Sequence, residues 1–284
     1  SDVYKRQDLE YVNQHMNSFK ENYLSPFTIP YYTSSELYKC KDYNFDLYIV
    51  GSDQVWRRTY IDSRMKDYFF DFLNDSPIKR ISYAASFGCA KNEYSKEDIE
   101  ICRPLLEQFS AISVREKSGI NLIENVFQLS NHNIRCVLDP TFLVNIEDYL
   151  KIISNDLEKK ENYIFNYTLD KTKEKQEILN EISNQYQYSI QTMNLPIGKY
   201  NKGQIIEPVE KWLAGIYMSN FVFTDSFHGM VFSIIFQKPF IVYINKERGA
   251  DRFISLLTQL GLEKHIINNI CLLYTSDAAD DLIG

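Results

Sequence analysis

Glycine and proline are scarce in this chain, at 10 and 8 of 284 residues, and tryptophan occurs twice. Low-complexity tracts and internal repeats are missing too, which sets aside linker-like and solenoid architectures. The five cysteines (Cys40, Cys89, Cys102, Cys136, Cys271) form no C-x-x-C pair, and there are only four histidines. No zinc-type cluster is expected, and a reducing cytosol is the simplest setting. Basic residues are outnumbered, 31 Lys and Arg against 38 Asp and Glu, for a net charge of −7. That balance argues against a broad nucleic-acid footprint, though a local basic pocket for a small anion fits within it. No apolar run approaches the ~20 residues that cross a bilayer. No secretory leader is expected, because residues 1–7 are polar and no apolar segment follows.

Aromatic residues are abundant instead: 21 Tyr and 18 Phe, with 44% hydrophobic residues overall. Such a chain can bury a large core, and its length accommodates two domains. Four places share one pattern, a short apolar run that breaks into a polar turn. Asp46–Val50 meets Gly51-Ser52-Asp53-Gln54, and Ile81–Ala85 meets Ser86-Phe87-Gly88. Ala111–Val114 meets Arg115-Glu116, and Cys136–Leu138 meets Asp139-Pro140-Thr141. These runs read as buried strands. Between them, Ser95–Phe109 has helical spacing opened by a Ser95/Asp98 capping pattern, and a shorter helix is expected over Ser118–Val126 with Ser118 as its cap.

The second half repeats the theme. Strands are expected at Asn162–Tyr167, Tyr188–Met193, Phe221–Thr224 and Phe240–Tyr243. Helices are expected at Lys171–Gln185, Glu207–Tyr217, Met230–Phe236 and Asp251–Leu260, the third apolar on nearly every side and therefore buried. Alternation of this kind predicts an α/β protein with mostly parallel sheets. The expected division is 8–145 and 146–270, with Phe142–Lys160 as a charged helical connector. Residues 1–7 and 271–284 fit neither neighbour. The strings VYKRQ and CLLYTSDAADDL look like translated sequencing-adapter sequence, so both ends are expected to be non-native tails.

Five motifs occur in order: Gly51-Ser52-Asp53-Gln54-Val55-Trp56, Ser82-Tyr83-Ala84-Ala85-Ser86-Phe87-Gly88, Ser113-Val114-Arg115-Glu116, Asp139-Pro140-Thr141 and Thr224-Asp225-Ser226-Phe227-His228-Gly229. Singly each is weak; as a series they resemble the polysaccharide pyruvyl transferase family over roughly residues 40 to 262. The resemblance implies two Rossmann-like domains facing a cleft, similar to GT-B glycosyltransferases. It implies phosphoenolpyruvate as donor, a sugar or lipid-linked oligosaccharide as acceptor, and a cyclic ketal as the usual product. No further cofactor and no metal is implied. A lipid-linked acceptor would bring a cytoplasmic protein to the inner face of the membrane as a peripheral contact. Relatives begin with a strand and an Asn-Tyr-Gly-type turn; neither is visible here, so the N-terminal strand is expected to be missing.

The chemistry needs holders for two anions and a group that gives and takes protons. His228, at a strand-to-helix turn, is the first candidate for proton transfer; packing or capping in the turn is the alternative. Arg115 can grip a carboxylate or phosphate bidentately, or it can pair with Glu116 or another acid. Arg248 and Arg252, after the last strand of the series, can reach phosphate or lie solvated. Asp53 can hold a sugar hydroxyl, act as a base or cap its loop. Gly51 and Ser52 permit close backbone approach to a ligand. Gln54 and Trp56 suit sugar contacts, with Trp56 more commonly core. Ser226 caps the helix that begins near Gly229 or touches an anion, and Gly229 stands with it among the substrate-binding candidates. Asp225 is read as a structural acceptor that can also orient His228, and Asp139-Pro140-Thr141 as architecture. Arg57-Arg58 is read as a surface or acceptor-binding pair, and Tyr23 to Tyr48 as a packed loop region. Asn166-Tyr167-Thr168 matches a glycosylation sequon but falls in an expected strand and is discounted. Two other functions stay open: a GT-B nucleotide-sugar glycosyltransferase, and a non-catalytic sugar-binding protein of a polysaccharide operon.

Overall fold

The computed structural model describes residues 10–61, 63–74, 76–130, 133–153, 162–193, 205–244 and 249–267. Its strands in chain order are β1 (Leu47–Val50), β2 (Lys79–Ser82), β3 (Ile112–Val114), β4 (Ile134–Cys136), β5 (Tyr163–Tyr167), β6 (Ser189–Thr192), β7 (Phe221–Thr224), β8 (Phe240–Tyr243) and β9 (Ile266–Ile267). The helices that matter below are α1 (Gln14–Tyr23), α2 (Lys96–Leu106), α3 (Lys117–Asn125), α4 (Ile146–Ile153), α5 (Lys173–Tyr186), α6 (Val209–Met218), α7 (Phe227–Ile235) and α8 (Ala250–Leu260). All strand pairings are parallel, so the molecule is a mixed α/β protein with parallel sheets.

The chain forms two compact units. The first joins Ile29–Leu143 with Asn245–Glu263; the second joins Val144–Ile244 with the described residues before 29 and after 263. Each unit is therefore discontinuous in sequence. The 146–270 division groups α8 with the second half of the chain, whereas α8 belongs with the first unit.

In the first unit β1 pairs with β2 and β3 with β4. Parallel bridges at Ile81–Ala111 and Ala85–Val114 join the two pairs. The strand expected over Ile81–Ala85 begins earlier and stops at Ser82, because Ala84 turns to φ 50°. Serine hydroxyls fill the gap in the ladder. Ser82 Oγ accepts from Ser113 N–H at 2.9 Å, and Ser113 Oγ donates to the Ser82 carbonyl at 2.9 Å and accepts from Ala84 N–H at 3.1 Å. The capping box at Ser95 and Asp98 forms as expected. Ser118 is no cap; α3 starts one residue earlier, after Glu116.

The core of this unit is aromatic. Trp56 is fully buried and stacks on Phe69, with ring centroids 5.4 Å apart, while Phe87 and Phe109 close on its other sides. A tryptophan so enclosed is not a sugar platform. Of Arg57 and Arg58, expected as a surface or acceptor-binding pair, the first is buried and the second only part-exposed. Arg57 is buried against Glu93 and Tyr60, and Arg58 bonds Asp98 at 3.0 Å. The Tyr-rich stretch packs only in part, since Tyr32, Tyr38 and Tyr43 are exposed.

The second unit carries a five-stranded sheet in the order β6-β5-β7-β8-β9. β5, β7 and β8 are apolar and buried along nearly their whole length, as central strands of a helix-covered parallel sheet should be. Helices intervene between successive strands: α5 between β5 and β6, α6 between β6 and β7, and α7 between β7 and β8. The path reverses between β5 and β7, and ligands of open parallel sheets bind outside such a switch point. His265 anchors the return to β9. Its ring stacks on Phe240 with centroids 4.4 Å apart, and its Nδ1 lies 2.8 Å from the Phe240 carbonyl oxygen.

Two stability measurements follow. Phe69→Ala removes the ring stacked on Trp56 and is expected to cost ~3–5 kcal/mol, read by denaturant unfolding. Burial holds the His265 imidazole below the ordinary histidine range. Its contribution is thus present in full above the unfolded value of ~6.5 and is lost as pH falls through the lower folded value. Urea unfolding in mildly acidic against mildly alkaline buffer is expected to show this loss in the wild-type chain, and a weaker one in His265→Phe.

Candidate functional site

Three loops meet at the carboxyl edge of the first sheet. β1 is followed by Gly51, whose φ is 120°, and a Cβ there would strike the Tyr83 carbonyl. The close approach that Gly51 permits is therefore to its own backbone neighbour. Ser52 is half-buried, and Asp53 follows with φ 58° and a side chain 63% exposed. The half-buried Gln54 packs against Gly88.

Arg115 follows β3 and is buried, yet its guanidinium is well met. Nη1 donates to Asp139 at 2.6 Å and Nη2 to Asp53 at 3.1 Å. Asp139, also buried, accepts from the Thr141 N–H and hydroxyl with its other oxygen. The Asp139-Pro140-Thr141 motif is thus the holder of Arg115. The alternative reading of Arg115, an ion pair with a nearby acid, thus forms, with Asp139 and Asp53 as the acids. Glu116 turns the other way and accepts from the Phe87 and Gly88 N–H groups at 2.7 and 3.1 Å, and burial pushes its carboxyl up.

Helix α8 completes this edge. Gly249, at φ 88°, lies against the Gly88 backbone, and Asp251 accepts from Ala90 N–H. Ser255 Oγ accepts from Lys117 N–H at 3.2 Å. So docked, α8 brings Arg252 Nη1 to 3.5 Å from Asp53. Two guanidinium groups then converge on one exposed carboxylate. Burial, and next the Arg115 charge, push Arg252 down to about 10. Arg248 lies outside the described residues.

In the second unit the switch point is tied shut by polar bonds. Thr224 Oγ1 donates to the Tyr167 carbonyl at 2.6 Å and accepts from Ser226 N–H at 3.0 Å, joining β5 to β7. Asp225 is buried and accepts from Leu169 N–H, Asp170 N–H and Lys175 Nζ at 2.6, 3.0 and 2.6 Å. Its structural reading therefore has a concrete form: it pins the loop after β5 to the turn after β7. Ser226 caps α7 by accepting from Gly229 N–H at 3.3 Å. A Cβ on Gly229 would strike Thr224 Oγ1, so this glycine lets the helix start tight against its strand. The helix begins at Phe227, three residues before the expected start, which puts the half-buried His228 in its first turn.

The structure thus gathers Asp53, Arg115 and Arg252 in one unit, and Ser226, His228 and Gly229 in the other. Lys175 was missed in the sequence, although it stands on the inward stripe of its helix with Ile178, Leu179 and Ile182. A lysine on an apolar stripe is a legible sign of a buried charge pair. The role of Asp139 was half seen, because its partner lies 24 residues upstream. Among the described residues no cluster of three or more His, Cys, Asp or Glu side chains is placed to hold a metal ion, and no helix is long and apolar enough to cross a membrane.

Parallel strands alternating with helices define an α/β protein. The polysaccharide pyruvyl transferase family model matches residues 2–247, and the chain belongs to that family. Family membership implies a transferase of polysaccharide biosynthesis with a polysaccharide acceptor. No curated protein gives a significant match.

The two carboxylates around Arg115 should behave differently. Asp139→Ala strands a buried guanidinium and is expected to cost ~3–5 kcal/mol. Asp53→Ala removes an exposed partner and is expected to cost under ~1 kcal/mol. Urea unfolding of both variants compares them directly.

Proposed function

We propose that the chain transfers the pyruvyl group of phosphoenolpyruvate to hydroxyls of a polysaccharide or lipid-linked sugar, closing a ketal where two hydroxyls are available. The observation that carries this reading is the convergence of Arg115 and Arg252 on Asp53. Phosphoenolpyruvate presents a carboxylate and a phosphate, and paired guanidinium groups suit both.

The residues take separable roles. Arg115 and Arg252 hold the donor's anions, and Gly51, Ser52 and Gln54 border that edge. Asp53 accepts a hydrogen bond from the attacking sugar hydroxyl. His228 gives a proton to the methylene carbon, which becomes a methyl group, and the adjacent carbon becomes oxocarbenium-like. The sugar oxygen bonds to that carbon, the bond to phosphate oxygen breaks, and phosphate leaves. His228 recovers its proton from the attacking hydroxyl. Departure of phosphate leaves that carbon oxocarbenium-like again; a second hydroxyl adds to it, closes the ring and passes its proton to the departing phosphate. Ser226 and Gly229 set the helix turn that carries His228.

The same reading extends to the fold. Each parallel sheet with helices between its strands is the kind of layer on which Rossmann-like, GT-B-type domains are built. It also sets the reaction in the cytoplasm, at the inner membrane face when the acceptor is lipid-linked.

Phosphate release from phosphoenolpyruvate, measured with a polysaccharide acceptor, tests the reading. His228→Ala is expected to lower kcat at least ~100-fold; near-normal turnover would remove His228 from proton transfer. Arg252→Met is expected to raise KM for phosphoenolpyruvate ~10-fold or more, given the strength of charge-assisted hydrogen bonds. An unchanged KM would remove Arg252 from donor binding.

A further inference from the structure

Tyr60 is an exposed aromatic on a rigid mount. A lone exposed ring is ordinary; what sets this one apart is how it is held and what it stands beside. It closes a single turn of 3₁₀ helix, Arg58–Tyr60, and its N–H donates to the Arg57 carbonyl at 2.9 Å. Glu93 ties this turn from one side. It accepts from Thr59 N–H at 3.2 Å and from Thr59 Oγ1 at 2.9 Å, and Arg57 Nε lies 3.6 Å away. Arg58 ties it from the other, with Nε on Asp98 at 3.0 Å and Nη1 on the Ile61 carbonyl at 2.9 Å. The Tyr60 ring rests on the buried Arg57 guanidinium, 4.3 Å from the ring centroid. The residue is nevertheless 59% exposed. One ring face is fixed from below, and the other opens to solvent.

This mount is continuous with the Asp53 site inside the first unit. A Cβ on Gly88 would meet Gln54 Nε2 at 2.7 Å and Arg57 Cδ at 3.0 Å, so both side chains crowd that glycine. Gly249 lies against the same Gly88 backbone and leads into α8, which carries Arg252. Tyr60 is also among the groups that act on Arg252 electrostatically. A flat, uncharged surface therefore borders the place where two guanidinium groups meet an exposed carboxylate. A pyranose has C–H groups on its faces and hydroxyls around its rim. Its C–H groups lie well against the negative face of an aromatic ring, while the rim stays free for polar partners. Trp56 is enclosed and has no such face to offer.

We propose that Tyr60 is the platform on which a pyranose ring of the acceptor stacks, with a rim hydroxyl turned toward Asp53. The proposal rests on the pyruvyl-transfer reading for the sugar's part as acceptor. It makes Tyr60 a specificity residue, favouring sugars with an unbroken C–H face. The flat ring is what binds, and the phenol hydroxyl is dispensable.

Saturation-transfer NMR on the full chain tests this with three probes: methyl β-galactoside, methyl β-glucoside and methyl α-mannoside. Irradiating the aromatic protons is expected to transfer magnetisation to the ring C–H protons of at least one probe. Tyr60→Ala is expected to raise the Kd of that probe ~10-fold, the loss of one good stacking contact. Tyr60→Phe is expected to leave it nearly unchanged, and Tyr60→Leu, apolar but not flat, to behave like Tyr60→Ala. The side chain is largely exposed, so urea unfolding is expected to find all three variants as stable as the parent. Phosphoenolpyruvate, titrated calorimetrically, is expected to bind all of them equally. The proposal is overturned if no probe binds, if Tyr60→Ala or Tyr60→Leu binds like the parent, or if Tyr60→Phe loses affinity. The two readings fail separately. Sugar binding that needs Tyr60, in a chain that does not bind phosphoenolpyruvate, keeps the platform and removes pyruvyl transfer. Phosphate release whose KM for the sugar is unmoved in Tyr60→Ala keeps the transfer and removes the platform.

Discussion

The organisation of both units rests on a buried carboxylate that must be fully satisfied. Asp225 cannot lie under the sheet edge as a bare charge, since stripping its water costs several kcal/mol. It is tolerable because two backbone N–H groups and the Lys175 ammonium surround it. That requirement fixes the loop after β5, the first turn of α5 and the turn after β7 in one arrangement. Asp139 plays the same part in the first unit, with Arg115 as cation and Thr141 as local donor. Around each carboxylate neighbouring residues inherit their positions: His228 follows the turn that Asp225 pins, and Asp53 meets the arginine that Asp139 holds.

This division of labour separates two kinds of charge at the sheet edges. The inner carboxylates, Asp225 and Asp139, are paired and hidden, and their energetic effect is to hold loops. The outer ones, Asp53 above all, remain exposed while resting on the inner ones. A protein can carry reactive groups on turns only if the turns are rigid, and here rigidity comes from ion pairs and hydroxyl bonds. The Ser82 and Ser113 hydroxyls serve the same end. They replace ladder bonds where a regular strand would have carried Ala84 past the bend.

Much of this was legible from local pattern. The apolar runs at β1, β3, β7 and β8, the capping box at Ser95 and the cap at Ser226 all depend on residues within a few positions of one another. What escaped depends on residues far apart. The strand at Ile81–Ala85 was misplaced because Ala84 adopts a positive φ that no neighbour announces. Arg57 and Arg58 looked like surface charges because Glu93 and Asp98 lie more than thirty residues away. Arg252 was visible as a candidate, but its companionship with Asp53 was not, since nothing local says that α8 packs on Gly88 and Lys117. Lys175 was readable in principle, as a charge on an apolar stripe.

The loan of residues 245–263 to the first unit has a consequence for biosynthesis. A chain emerging from the ribosome can lay down β1 to β4 early, yet that unit stays unfinished until α8, which follows β5 to β8, has been made. Until then Gly88, Ala90 and Lys117 lack the helix that docks on them, and Asp53 lacks its contact with Arg252. An early-stop fragment would therefore be poor in more than length: it would present its basic centre half-assembled, with one arginine at Asp53 in place of two.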